Sequence, residues 1–325
     1  MRKSKSWFCL VLFAVAAVVL ARPAAAQDWP AKPIRAFIPF AAGSATDIIP
    51  RAVFDQLSPV LGQPIVVENR SGGGGTIGVG AVAKAAPDGY TILAQSSALT
   101  VAPWLHPNLP YDTAQDLAAV AALGTLPNVL VTSPLHGLKT IAAFVAAAKA
   151  KPGSFNYTST GVGTATHMSA ERFRVSAGIA AVHIPVKSGP EALTEILSGR
   201  AEFYLCPIGT ALPFIRDGKL LGLVVSGGRR AAELPDVPTT SEAGLADADY
   251  TFWLGLFAPA KTPRDIVNRL HNETIKALQT TNVREKLAIL SVAPMQMAPE
   301  QMDRFIKDEI ASNGLLVKAA GIKPE

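Results

Sequence analysis

Two short stretches combine glycine, small hydroxyl residues and a helix-start pattern. Such a combination is suited to holding an anion rather than to making or breaking bonds. The first is Pro39-Phe40-Ala41-Ala42-Gly43-Ser44-Ala45-Thr46-Asp47. Gly43 lets the backbone approach a ligand closely, and Ser44, Thr46 and Asp47 are good helix N-caps. The second is Ser159-Thr160-Gly161-Val162-Gly163-Thr164-Ala165-Thr166-His167. Here Gly161 and Gly163 expose backbone N–H groups, and Ser159, Thr160, Thr164 and Thr166 add hydroxyls. A helix N-terminus presents free N–H groups at a positive dipole end, which suits a carboxylate. Ordinary helix capping is the alternative reading of the first stretch. For His167, orienting the loop through a hydrogen bond stands beside direct ligation.

Other motifs carry less chemistry. Ser71-Gly72-Gly73-Gly74-Gly75-Thr76-Ile77-Gly78 contains the Gly73-x-Gly75-x-x-Gly78 dinucleotide spacing. It follows the second expected strand, however, and no acidic residue closes a first β-α-β unit, so a structural turn is the better reading. The second loop lacks the Gly-Lys-[Ser/Thr] ending of a nucleotide P-loop, and no Gly-x-Ser-x-Gly elbow occurs. His106, His136, His167, His183 and His271 show no metal-type spacing, so neither a metal nor a cofactor is expected. Cys206, in Tyr204-Leu205-Cys206-Pro207, reads as strand-end packing rather than a nucleophile. Glu191 and Glu195 read as a solvated helix face.

The elements that must position the two loops alternate between strand and helix. Strands are expected at 34–40, 64–68, 90–95, 128–132, 155–158, 182–186, 203–206, 220–226 and 253–258. Ile48, Ile49, Ala52, Val53, Leu57, Val60 and Leu61 recur at helical spacing, and Pro50 should fall in the first turn of that helix, starting it near Thr46 or Asp47. The glycine-rich tract should lead into an alanine-rich helix ending near Ala86. Further helices are expected at 140–151, 166–177 and 190–198, and over most of the chain beyond Pro263. Pro235-Asp236-Val237-Pro238 reads as a rigid surface turn. Repeated β-α alternation predicts parallel sheets covered by helices, with ligands beside the strand-to-helix turns.

The chain has 325 residues and a formal charge of +5. Its start orders a basic stretch, Arg2-Lys3-Ser4-Lys5, an apolar run from Trp7 to Ala21, and Ala24 and Ala26 in A-x-A positions. That order is a secretory signal peptide over 1–26, cut after Ala26; a retained membrane anchor is the alternative. Cys9 lies within the apolar run with no small residue before it, which argues against a lipoprotein. Four of the 30 basic residues and none of the 25 acidic ones precede residue 27, so the remainder is close to neutral. The balance speaks against a nucleic-acid partner. One remaining thiol, Cys206, cannot form an internal disulfide.

Taken together, Pro33-Ile34-Arg35 through Pro39-Phe40-Ala41-Ala42-Gly43 and Thr46-Asp47 resemble the opening of the Bug receptors, the solute-binding proteins of the tripartite tricarboxylate transporter family. Leu61 through Arg70, Ala83 through Thr91 and Leu109-Pro110-Tyr111-Asp112 continue the resemblance. So do Asn156-Tyr157 with Gly161-Val162-Gly163-Thr164 and His167, Leu234 through Thr239, Ala258 through Pro263, and Ala319 through Pro324. The resemblance implies a type II periplasmic-binding-protein fold, α/β in class, with one lobe over 27–125 plus 228–325 and the other over 126–227. It implies a periplasmic, monomeric receptor, not an enzyme, that captures a small carboxylate ligand for membrane transporter subunits. Ligand-binding positions carried over are Gly43, Ser44, Thr46 and Asp47 from the first loop and Thr160, Gly161, Gly163, Thr164 and His167 from the second. Ser97 is a further candidate. A hydrolase using the same cleft and a ligand-presenting sensory partner remain alternatives, because fold alone does not separate them.

Three departures bear on the ligand. Gly43-Ser44 stands where members usually carry Gly-Gly, Cys206-Pro207 where many carry Asp-Asn, and Val186-Lys187-Ser188-Gly189 where Tyr-Lys-Gly is commoner. The loss of Asp and Tyr predicts a less polar distal pocket. It suits one anchored carboxylate with a largely apolar or aromatic remainder, rather than citrate.

Overall fold

A computed structural model describes residues 29–324. The expected signal peptide lies outside the described residues. The described chain builds two five-stranded sheets, ordered β2-β1-β3-β10-β4 and β7-β6-β8-β5-β9, each covered by helices. This is the two-lobed α/β architecture expected from the strand–helix alternation and the resemblance.

The first sheet holds β1 (Ile34–Ile38), β2 (Ile65–Asn69), β3 (Thr91–Ser96), β4 (Leu117–Leu126) and β10 (Phe252–Pro259). The second holds β5 (Asn128–Thr132), β6 (Phe155–Ser159), β7 (Ala181–Pro185), β8 (Phe203–Pro207) and β9 (Leu221–Val225). The helices are α1 (Ala45–Leu61), α2 (Thr76–Ala83), α3 (Ala98–Leu105), α4 (Ile141–Ala150), α5 (Ala165–Ala177), α6 (Gly189–Leu197) and α7 (Ile208–Arg216). The C-terminal region adds α8 (Arg264–Gln279), α9 (Thr281–Ile289) and α10 (Pro299–Ala320).

The expectation of parallel sheets holds for β1 with β2 and β3 and for β6 with β7 and β8, and is corrected at two strands. β10 runs antiparallel to β3 and β4, and β5 runs antiparallel to β8 and β9. Each is the first strand after the chain passes from one sheet to the other. Only Pro127 separates β4 from β5. With no crossover helix to bring the chain back to the same end, the entering strand runs against its neighbours. The strand β4 was not expected: its sequence, LAAVAALGTL, shows no two-residue alternation because nearly every side chain is buried.

Four apolar clusters surround the sheets. The largest joins Ile38, Ile49, Val53 and Leu57 to Leu254 and Leu256, and it also contains Ala165 and Met168 of α5. Helix α5 therefore packs against both lobes, its other buried face (Ala170, Phe173, Ala177) joining Phe144 and Phe203. Cys206 is fully buried in the second lobe's core, and burial pushes its thiol well above the ordinary range.

Two boundaries shift near the loops. Helix α1 starts at Ala45, so Pro50 falls in the second turn rather than the first. The glycine-rich tract forms a 3-10 turn at Gly73–Gly75, and the following helix stops at Ala83 rather than near Ala86.

Candidate functional site

Helix α1 opens with Ser44 as N-cap, in extended backbone, but the Ser44 hydroxyl makes no capping bond. It is buried with no hydrogen-bond partner among the described residues. The amides of Ala45 and Thr46, first in the helix, likewise have no acceptor among the described residues. The loop ahead of them, residues 39–47, is held from behind. The Asp47 carboxylate accepts from the Gly43 N–H at 2.9 Å, Arg51 Nε at 2.8 Å and Asn69 Nδ2 at 2.9 Å. Asn69 also donates to the Phe40 carbonyl at 2.9 Å. Burial works to raise the Asp47 carboxyl, but hydrogen bonds from Asn69, Gly43 and Arg51 outweigh it and hold the group below its ordinary value.

The second loop is held by neutral groups. Gly163 N–H donates to His167 Nδ1 at 3.2 Å, Gly161 N–H to Ser159 Oγ at 3.1 Å, and Thr160 N–H to Thr166 Oγ1 at 3.1 Å. Thr164 caps α5, its side chain accepting from the His167 N–H. His167 stacks on His183 with ring centroids 4.1 Å apart, and His183 Nε2 lies 2.7 Å from Ser159 Oγ. Burial, then the Arg174 charge, lowers His167 to about 4; burial, then His167, lowers His183 to about 3. Both rings are therefore neutral near pH 7, which leaves His167 Nδ1 able to accept from Gly163. The sequence spacing held no hint of this pair, because the two rings meet only through the pairing of β6 with β7.

The two loops meet in one cleft enclosing ≈ 640 Å³ of atom-free space, partly open to solvent. Gly43, Ser44 and Thr46 line one side; Thr160, Thr164 and Thr166 line the other. Thus five of the ten sequence-derived positions reach the lining: Gly43, Ser44, Thr46, Thr160 and Thr164. Asp47, Gly161, Gly163 and His167 lie behind it, in the bonds that shape the loops. Ser97 is fully buried, its N–H bonded to Trp253, and it is the neighbouring Ser96 that lines the cleft. The strand β3 runs one residue further than expected, which carries Ser96 to the strand end.

The remaining wall comprises Phe40, Lys187 to Pro190 at the start of α6, Tyr204 and Pro207 from β8, Thr210 from α7, and Phe252 from β10. Of this wall, the sequence marked Phe40 in the first stretch and, as distal pocket, Val186–Gly189 and Cys206-Pro207, but not Tyr204, Thr210 or Phe252. Lys187 is the only charged residue among the described lining residues. Pro207 lines the cleft, whereas its neighbour Cys206 turns into the core. The Val186–Gly189 departure was the available signal for Lys187. Among the described residues no group of three or more His, Cys, Asp or Glu side chains is placed to hold a metal ion. The arrangement offers an anion the partnerless Ser44 hydroxyl, the helix-start amides of α1 and the hydroxyls of Thr160, Thr164 and Thr166, which also bond within their own loop, with no nucleophile–base pair among the lining residues.

A sequence profile of the tripartite tricarboxylate transporter family receptor matches residues 49–322. The chain is 35% identical over 311 residues to protein BugT of Bordetella pertussis, covering 95% of each. It is similar in structure to Rpa4515 of R. palustris with adipate, at TM-score 0.86 and 28% identity, covering 92% of this chain and 100% of that one. It is also similar to MatC of Rhodopseudomonas palustris with bound malate, at TM-score 0.83 and 30% identity, covering 89% of this chain and all of that one. These likenesses bear out the type II, two-lobed α/β fold.

Proposed function

Because the chain belongs to the tripartite tricarboxylate transporter family of receptors, we propose that it captures a small carboxylate in the periplasm and delivers it to membrane transporter subunits. One observation carries this reading. The free donors at the start of α1 and the hydroxyls at the start of α5 come from different lobes and converge on a single cleft. A carboxylate accepts several hydrogen bonds at once and gains from both helix dipoles. The lobes, 27–125 with 228–325 and 126–227, are bridged by the ligand, which favours their closed arrangement by its differential affinity. The neighbours bound to adipate and malate support the ligand class. On this reading the ligand leaves unchanged: Ser159, which His183 approaches, and Cys206 are both fully buried and outside the cleft lining.

For the distal part of the ligand, Phe40, Pro190, Pro207 and Phe252 favour an apolar or aromatic remainder. A second reading rests on Lys187, whose ammonium group at the cleft would pair with a second carboxylate. Calorimetry with hexanoate, benzoate, adipate and citrate separates the two. Tighter binding of the monocarboxylates supports the first. Preference for adipate, lost in Lys187→Gln, supports the second. Tight citrate binding with no affinity for monocarboxylates rejects the first. The anchor itself is tested by Thr46→Val, which removes a hydroxyl at constant shape. Affinity should fall about tenfold, the scale of one hydrogen bond to a charged group. Unchanged affinity, or no carboxylate of the panel raising the melting temperature, would overturn the reading.

A further inference from the structure

The glycine-rich tract at 71–78 does not line the cleft, yet its 3-10 turn lies against the second loop. A β-carbon on Gly74 would sit 2.8 Å from the Val162 carbonyl oxygen and 4.0 Å from His106 Nε2. Across the same contact, a β-carbon on Gly163 would sit 2.7 Å from Leu105 Cδ1 and 3.8 Å from Val101 Cγ1. Leu105 and Val101 are fully buried on α3, in the lobe built on the first sheet. Val162 packs onto the cluster that contains both. Gly74 has φ +61° and Gly163 φ +73°, so both also hold left-handed backbone. The Gly163 and Gly161 amides are already engaged by His167 and Ser159. What these positions contribute to the site is therefore not a donor to the ligand but the absence of a side chain.

We propose that Gly74 and Gly163 are positioning residues: their bareness lets the second loop seat on the opposite lobe, and the depth of that seat sets the gap across which Thr46 faces Thr160, Thr164 and Thr166. Packed interiors do not absorb an extra methyl group smoothly. A β-carbon at either position wedges the lobes apart, and the carboxylate loses simultaneous contact with both loops. The effect on affinity rests on the carboxylate reading, but the wedge itself is independent of which acid binds.

The experiment measures interlobe distance by pulsed electron resonance between spin labels at Lys84→Cys and Lys219→Cys, exposed positions on the two lobes. Cys206 is fully buried and escapes labelling. The same proteins are titrated with adipate. The unaltered background should show a short-distance population that Gly74→Ala and Gly163→Ala deplete. Adipate affinity should fall about tenfold in step, because apparent affinity scales with the competent fraction. Gly62→Ala is the control: its φ is +70° and a β-carbon there meets nothing within 4 Å, so it carries the backbone penalty without the wedge. Adding Leu105→Val to Gly163→Ala removes the nearest atom and should restore both readouts. If Gly74→Ala folds poorly, Gly74→Asn tests the same contact, since asparagine tolerates left-handed backbone. Distances in Gly74→Ala and Gly163→Ala that match those of Gly62→Ala, or no short-distance population in the background protein, overturn the proposal. Absence of adipate binding with the distance changes intact would instead count against the carboxylate reading alone.

Discussion

The two loops that face each other across the cleft do the same geometric work with opposite electrostatics. The first is fixed by a charged carboxylate, Asp47, held by Gly43, Arg51 and Asn69. The second is fixed by neutral rings and hydroxyls, centred on His167, His183, Ser159 and Thr166. Neither arrangement leaves a net charge at the anion position: Arg51 offsets Asp47, and burial keeps both histidines neutral. The pull on an anion then comes from helix amides and hydroxyls at the loop tips. The difference between the loops shows instead in how each responds to acid.

The largest expected contrast is in the pH dependence of stability. His167 has its folded pKa lowered from 6.5 to about 4, so as pH falls below 6.5 the unfolded chain takes up protons that the folded one refuses. Stability that is present above pH 6.5 is lost towards pH 4, by up to about 3 kcal/mol, because a tenfold change in proton affinity is worth about 1.4 kcal/mol. Asp47, held below 3.8, gives up its contribution only in more acidic solution. The second loop should therefore loosen first. A third group opposes it. Glu309 on α10 accepts hydrogen bonds from Thr100 and Trp253, and burial raises it from 4.5 to about 7. Its folded form holds a proton that the unfolded form has lost between pH 4.5 and 7, so its contribution grows on acidification. Urea midpoints measured from pH 6.5 to 4.5 should thus diverge: relative to the parent protein, His167→Gln gains stability with acid, whereas Glu309→Gln loses it. Parallel profiles would break the contrast.

Next in size is Asp47→Ala. Removing the carboxylate leaves the Gly43 amide, Arg51 and Asn69 without their common acceptor. Hydrogen bonds to a charged group at a buried position are worth about 2 kcal/mol in stability. Chemical denaturation should register that loss, and carboxylate binding should weaken with it, since the loop carrying Ser44 and Thr46 is no longer held. A variant that keeps both stability and affinity would show that the first loop is shaped by its backbone alone.

Thr164→Val should have a smaller effect, about 1 kcal/mol, the usual worth of a lost N-cap. Its neutral partner network differs from the first loop, where Ser44 caps with backbone only. Ser44→Ala should accordingly leave stability unchanged or slightly raised, because its buried hydroxyl has no partner to lose among the described residues, while lowering carboxylate affinity. That split between the two capping residues, read by thermal melting beside calorimetry, sharpens the view that one hydroxyl holds the loop and the other awaits a ligand.

How far the sequence reached follows the same physics. Both loops were legible because glycine, hydroxyl residues and a helix start are local signals. The positions behind them were legible as residues, and for His167 the loop-orienting role stood beside ligation, but the bracing role of Asp47 was not legible. Asp47 and His167 carry the chemistry of ligand contacts, yet the partners that turn them away from the cleft, Asn69 and the Gly163 amide, are set by strand pairing and by one residue of loop geometry. The far wall was read only in part: Val186–Gly189 and Cys206-Pro207 were assigned to the distal pocket through the resemblance, whereas Tyr204, Thr210 and Phe252 come from separate elements that only the fold brings together. The antiparallel entry of β5 and β10 escaped for a related reason: strand direction depends on how the chain passes between lobes, and nothing in the composition of either strand records it.

The smallest expected effect falls on the charge that balances Asp47. Arg51 sits one turn along α1, with 42% of its side chain exposed, and it bonds both the Asp47 carboxylate and Asn69 Oδ1. Water reaches the guanidinium end of this pair although the Asp47 carboxylate is buried, and an i,i+4 ion pair on a helix contributes about 0.5 kcal/mol. Arg51→Met keeps the stem that packs along the helix while deleting the charge. Because the amide bonds from Gly43 and Asn69 remain, the first loop should keep its shape and denaturation should move little. The Asp47 charge, no longer offset, would then face an incoming carboxylate across the loop. Affinity should fall more at low salt than at high salt, since added ions screen that repulsion. A salt-independent loss would instead mean that Arg51 acts by fixing Asn69, and that the neutrality of the first loop is incidental to how it accepts an acid.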